Sequence, residues 1–175
     1  MIYPEEYIQY LVYFHGNRDY FECHEVLEEY WKQVDSGNRS SIWVGLIQVA
    51  VSMYHFRREN DIGAIRTLRK AIEIFQHKRD ELTTLGIHSE LFLEQLNEQL
   101  ETLYTPTKYQ SMSFPIQDPV LLKECIKRCK DNGYNWGNKS DLTQNALIHR
   151  HQLRDRSDVI QARQKALQQK KRSLE

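Results

Sequence analysis

The sequence predicts an all-α protein, a compact antiparallel bundle or array of about five helices followed by a helical C-terminal extension. Three observations point there. Apolar residues recur at helical spacing in one segment after another up to Leu103. Breakers are scarce, with 7 Gly and 4 Pro in 175 residues. Leu, Glu, Gln, Lys and Arg, which cost little in a helix, are abundant.

Pro4 suits a first helical turn, where its missing N–H costs nothing. Tyr7, Ile8, Leu11, Val12 and Phe14 then form an apolar side, and His15-Gly16-Asn17 reads as the helix end, with glycine as cap. Asp19 is placed to cap a second helix over residues 20–34. At about 100° per residue, Tyr20, Cys23, Leu27, Tyr30, Trp31 and Val34 share one sector. His24 falls inside that sector, Glu28 at its edge and Glu25 further out, while Glu22 and Glu29 face away. A turn at 35–38 ends the helix. The third helix, 42–56, is capped by Ser40 or Ser41 and is apolar almost all round, which makes it central. Its exceptions, Gly45, Gln48, Ser52 and His55, line up as one narrow polar stripe. Asp61 reads as the cap of a fourth helix with Ile65, Leu68, Ile72 and Phe75 inward, and Ala64 and Ala71 allow close packing. After a loop at 83–86, Ser89 starts a fifth helix that turns Leu93, Leu96, Leu100 and Leu103 inward.

The organisation expected is a bundle domain over 1–105, a linker over 106–119 and a basic extension over 120–175. Pro106, Pro115 and Pro119 mark the linker as extended and superficial. The extension holds a short helix at 120–131 capped by Gly133, an exposed-looking Trp136, and a strongly polar helix at 157–172. Charge divides along the same line: 10 Lys and Arg stand against 17 Asp and Glu in residues 1–105, but 14 against 7 beyond them. The longest apolar run is too short and too polar to span a bilayer. Three cysteines and no leader-like opening lead to the expectation of a reducing cytoplasm without disulfides or membrane.

Four constellations carry chemistry. His24 and Glu28 share a helix face, which suits one metal ion or, equally, a hydrogen bond that fixes the imidazole tautomer. HExxE lacks the second histidine of the zincin motif. Gln48, Ser52 and His55 need partners if buried, and the polar edge of the second helix is the obvious match; solvent is the alternative. Cys125 and Cys129 are four apart, and without a further pair they read as reduced, partly buried thiols. The tail residues Arg150, Arg154, Arg156, Arg163, Lys165, Lys170, Lys171 and Arg172 suit either an acidic surface, the body of this chain first, or phosphate.

Phe14-His15-Gly16 leading into Tyr20-Phe21-Glu22-Cys23-His24-Glu25-Val26-Leu27-Glu28-Glu29-Tyr30-Trp31 resembles the signature of the bacterial and archaeal domain of unknown function numbered 309. So does Gly45-Leu46-Ile47-Gln48-Val49-Ala50, followed by His55, Asn60 and Gly63-Ala64. The likeness covers residues 7–75, and the linker and basic part resemble those of the family's longer members. It implies a small all-helical bundle and no established activity. The matching positions are Glu22, His24, Glu25, Glu28, Trp31, Gln48, His55, Asn60 and Gly63. Among them Trp31 and Gly63 look like packing and close approach, and Asn60 like a turn or cap.

The function expected is a non-catalytic binding or scaffold module. Its polar pocket would lie between the second and third helices, lined by His24, Glu28, Gln48, Ser52 and His55 with Glu25 at the mouth. Its partner is an unidentified protein or a small polar ligand, and a homo-oligomer is compatible with it. The alternative is a metal-dependent hydrolase in which His24, Glu28 and His55 hold a divalent cofactor ion and Glu25 acts as general base. A weaker alternative is a nucleic-acid-associated factor acting through residues 139–175.

Overall fold

The computed structural model describes residues 3–153 and, beyond them, Gln161, Gln164, Lys165 and Gln168. Apart from those four positions, the helix expected over 157–172 lies outside the described residues, as do the charges on Arg154, Arg156, Arg163, Lys170, Lys171 and Arg172. The fold is all-α. Helices α1 (Glu5–Val12), α2 (Tyr20–Val34), α3 (Ile42–Arg57), α4 (Asp61–Gln76), α5 (Arg79–Thr84) and α6 (Ser89–Leu103) precede α7 (Pro119–Asp131) and two short turns of helix, α8 (Asn145–Ile148) and α9 (Arg150–Leu153). A single bridge between Ile87 and Ile116 is the only β pairing among the described residues.

Helix α3 packs between α2 and α4, α6 lies on α4, and α1 sits between α2 and α7. Eleven of the 16 residues of α3 are buried, which fits its nearly all-round apolar sequence and its central place. A Cβ on Gly45 would stand 2.5 Å from Phe75 Cε1, so glycine sets the close approach of α3 to α4. Caps come from side chains: Asp19 for α2, Ser41 for α3, and Asn60 for α4. The α4 cap is therefore one residue earlier than the expected Asp61, because Asn60 Oδ1 is the atom that reaches the Gly63 N–H, at 3.1 Å.

His15-Gly16-Asn17 does not end the first helix. A π-helical turn, Tyr13–Asn17, carries it on, and the left-handed residue that stops it is Arg18, at φ 57°. Gly16 is needed for contact instead, since a Cβ there would lie 3.1 Å from Cys129 Sγ. Arg18 is 1% exposed, and its guanidinium holds the strained backbone in place. Its Nε donates to the Asn138 carbonyl at 2.7 Å and Nη1 to the Met112 carbonyl at 2.5 Å. Arg57, also buried, donates to the Arg18 carbonyl at 2.7 Å and to Ser140 Oγ at 2.9 Å, and lies over the Tyr20 ring. These cations are compensated by carbonyl and hydroxyl oxygens and by an aromatic face.

His15 ties the same layers together. Nε2 accepts the Phe114 N–H at 2.9 Å, so Nδ1 carries the proton and donates to the Leu11 carbonyl at 2.9 Å. The ring stacks on Trp136 with centroids 4.1 Å apart. Residues 106–119 are extended, as a linker would be, but they carry Phe114 into a ring cluster with Phe14, Phe92 and Tyr10. Trp136 is half-buried against His15 rather than exposed.

Candidate functional site

Helix α2 buries Tyr20, Cys23 and Leu27, packs Val26 and Tyr30 against the core, and keeps its acidic residues at the edge of that contact. Its N-terminus is built around Asp19, which is 3% exposed. One carboxylate oxygen of Asp19 accepts the Glu22 N–H at 3.1 Å, which caps the helix. The other takes a hydrogen bond from Arg150 Nη1. Arg150 Nη2 bonds Glu22 Oε1 at 2.7 Å, and the guanidinium lies 5.7 Å over the Phe21 ring. One arginine from the C-terminal part thus bridges two carboxylates across an aromatic face, and such charge-assisted contacts are the stronger kind. Beside it runs a groove of about 650 Å3, lined by Phe21, Glu22 and Glu25 on α2 and by Gln144, Ala146, Leu147 and Arg150 opposite.

One turn further on, Glu25 Oε1 lies 3.1 Å from His24 Nδ1 and Glu28 Oε2 lies 3.5 Å from His24 Nε2. Glu28 also pairs with Lys32 at 2.9 Å. All three groups are half-buried, and one ligand atom from each falls within 4.8 Å of the others, so they could hold a metal ion. The two ring nitrogens face different carboxylates, however. An ion could use only one of them, so the arrangement describes a gripped imidazole more fully than a ligand set.

The expected pocket between the second and third helices does not assemble from its named residues. The whole polar stripe of α3 faces α4. Gly45 meets Phe75, Gln48 borders a cleft with Lys70 and Ile74, and Ser52 Oγ donates to the Ala64 carbonyl at 2.8 Å. His55 Nδ1 is 2.9 Å from Asn60 Nδ2. Gly63 closes that corner, since a Cβ there would lie 2.7 Å from Asn60 Nδ2 and 2.9 Å from His55 Cγ. Burial first, then Arg58 and Arg66, push the His55 pKa down, so the ring is favoured neutral. His24 is not turned inward either, its side chain being 34% exposed. Val34, expected in the apolar sector, is also exposed. Glu22 was expected to face solvent and instead pairs with Arg150, while Glu29 is exposed as expected. Trp31 is half-buried at the end of α2, its Nε1 donating to the Asn38 carbonyl at 3.1 Å.

Periodicity could not find the Asp19, Phe21 and Arg150 contact, because it joins residues 131 positions apart. The one signal for it was the charge division between an acidic body and a basic end.

Comparison with known proteins agrees with the helical signature. A family profile described as "Domain of unknown function (DUF309)" matches residues 7–67. The chain is also 44% identical over 172 residues to the Bacillus subtilis (strain 168) protein described as "Uncharacterized protein YpuF", a match covering 98% of this chain and 99% of that protein. No solved structure matches. The profile takes in α1 to α3 and the start of α4, whereas the match to the Bacillus protein continues through α7 and the basic segment.

Proposed function

The chain belongs to the DUF309 family, and from that footing we propose that it is a non-catalytic binding module whose working surface is the acidic face of α2. The observation that carries this reading is the seat of Arg150 between Asp19 and Glu22 over Phe21. On this reading the seat is an arginine receptor with a groove leading away from it, and the contact made by the chain's own Arg150 supports it. The partner it fits is a protein segment bearing arginine, lying along the groove toward Glu25 and the His24 pair.

The test is calorimetric titration of the full chain with a peptide of residues 144–156 added in trans. Arg150→Ala vacates the receptor, and the peptide is expected to bind that variant about tenfold more tightly than it binds the unaltered chain. Combining Arg150→Ala with Glu22→Gln and Glu25→Gln should abolish the gain. Peptide affinity indifferent to the two glutamate changes, or no binding to any form, would sink the proposal.

The hydrolase reading keeps one favourable observation, the closeness of His24, Glu25 and Glu28. Its third expected ligand, His55, is engaged by Asn60 on the α4 side and is not part of that cluster. Zinc added to tag-free protein is therefore expected to show no stoichiometric uptake. One-to-one binding that disappears in His24→Ala would move the assignment to a metal centre.

A further inference from the structure

Gln48 does not look toward α2. Its half-buried amide borders a cleft of about 500 Å3 between α3 and α4, and it makes no hydrogen bond among the described residues. Val44 and Ile74 provide the apolar wall of this cleft. Around them stand three cations, Arg39, Lys70 and Lys78, against one carboxylate, Glu73. Lys78 is shared with Glu81 at 2.5 Å. Arg39 and Lys70 make no ion pair among the described residues. This concentration of positive charge lies on a body, residues 1–105, in which 17 acidic residues outnumber 10 basic ones. Two cations without an ion pair, beside a third and against a single carboxylate, leave a positive excess that suits an anion, and the volume falls within the range of small-ligand sites.

We propose that this cleft binds a small phosphomonoester. The phosphate lies between Arg39 and Lys70, the apolar body of the ligand lies against Val44 and Ile74, and the Gln48 amide pairs with a polar edge of that body. The Arg39 fork suits two phosphate oxygens at once, and Lys70 supplies a point charge. An amide that would otherwise interrupt an apolar helix surface thereby gains a partner. This site is separate from the acidic face of α2, and neither proposal depends on the other.

The experiment is calorimetric titration of the full chain with adenosine monophosphate, adenosine and inorganic phosphate as probes. The monophosphate is expected to bind, adenosine at least about tenfold more weakly, and added salt should weaken the monophosphate. Arg39→Ala and Lys70→Glu should each lower monophosphate affinity by about tenfold or more, because each removes a charge-assisted contact. Both side chains are exposed, so circular dichroism and melting should be unchanged. Arg66→Ala, on α4 but outside the cleft, should change nothing. The proposal is overturned if the monophosphate fails to bind, if adenosine binds equally well, or if the Lys70→Glu variant binds like the unaltered chain. Phosphate that binds and is retained by Lys70→Glu also overturns it.

Discussion

Replacing His15 with alanine is expected to destabilise the protein by about 3–5 kcal/mol at neutral pH, measured by urea unfolding. The change empties the space between Trp136 and Phe114 and strands a buried Phe114 N–H that now donates to Nε2. Its pH dependence is more diagnostic than its size. Burial first, and to a lesser degree the nearby Arg18, push the His15 pKa from 6.5 to about 3, while the contact with the Leu11 carbonyl works the other way. Between those two values the unfolded chain holds a proton on this ring and the folded chain does not. Stability is therefore lost as pH falls through that window, by about 1.4 kcal/mol per pH unit from this residue alone. Above the upper value both states are neutral and the contribution is complete. Other titrating groups are common to the wild type and the variant, so the stability gap between them should shrink as pH drops from 6.5 toward 3. Parallel pH profiles for the two proteins would show that the ring is not held neutral.

Phe114→Ala should cost a further-reaching 3–5 kcal/mol or so. Its ring centroid lies 4.6 Å from that of Phe14 and 4.5 Å from that of Phe92, so the cavity opens in the middle of the aromatic layer. By the same reasoning, a chain stopped at residue 105 should not fold on its own. It would lose the cover over Tyr10, Phe14 and His15 that Phe114 and Trp136 supply. Calorimetry of that shortened chain is the check. A cooperative transition near that of the full chain would mean that residues 1–105 are self-sufficient.

Both effects fall where sequence reading was weakest. Helices α2, α4, α6 and α7 were legible because they repeat apolar residues at helical spacing and begin at or just after Asp, Asn, Ser or Pro. The six-residue α5 was not, being too short to show a period, and its last two residues fall in the loop expected at 83–86. The polar stripe on α3 was legible too, because spacing alone places Gly45, Gln48, Ser52 and His55 on one side. Spacing does not say which neighbour that side meets. Two helices flank α3, and the small residues Gly63 and Ala64 brought α4 close enough to satisfy Ser52 and to border His55. His15 was read as an ending because glycine follows it, whereas Gly16 is there to admit Cys129 and Tyr134. Arg18 and Arg57 bond chiefly to backbone carbonyls, and a carbonyl leaves no mark in the sequence to be matched. The acidic face of α2 was half legible: its carboxylates and the Asp19 cap were read, but the pairing of Asp19 and Glu22 with Arg150 depends on where a distant segment arrives.

The contacts that close the first helix reach far along the chain. His15 meets Phe114, 99 residues on; Tyr3 meets Asp118, 115 residues on; Arg18 meets Asn138, 120 residues on. Helical proteins usually fold fast because their contacts are local. Here α1 leaves the ribosome well before these partners are made. At translation rates of about 5–20 residues per second, that delay is on the order of ten seconds, during which the side of α1 away from α2 has no permanent cover. The order of synthesis therefore opposes the order of assembly, and nascent chains of this protein are the form most in need of protection from aggregation.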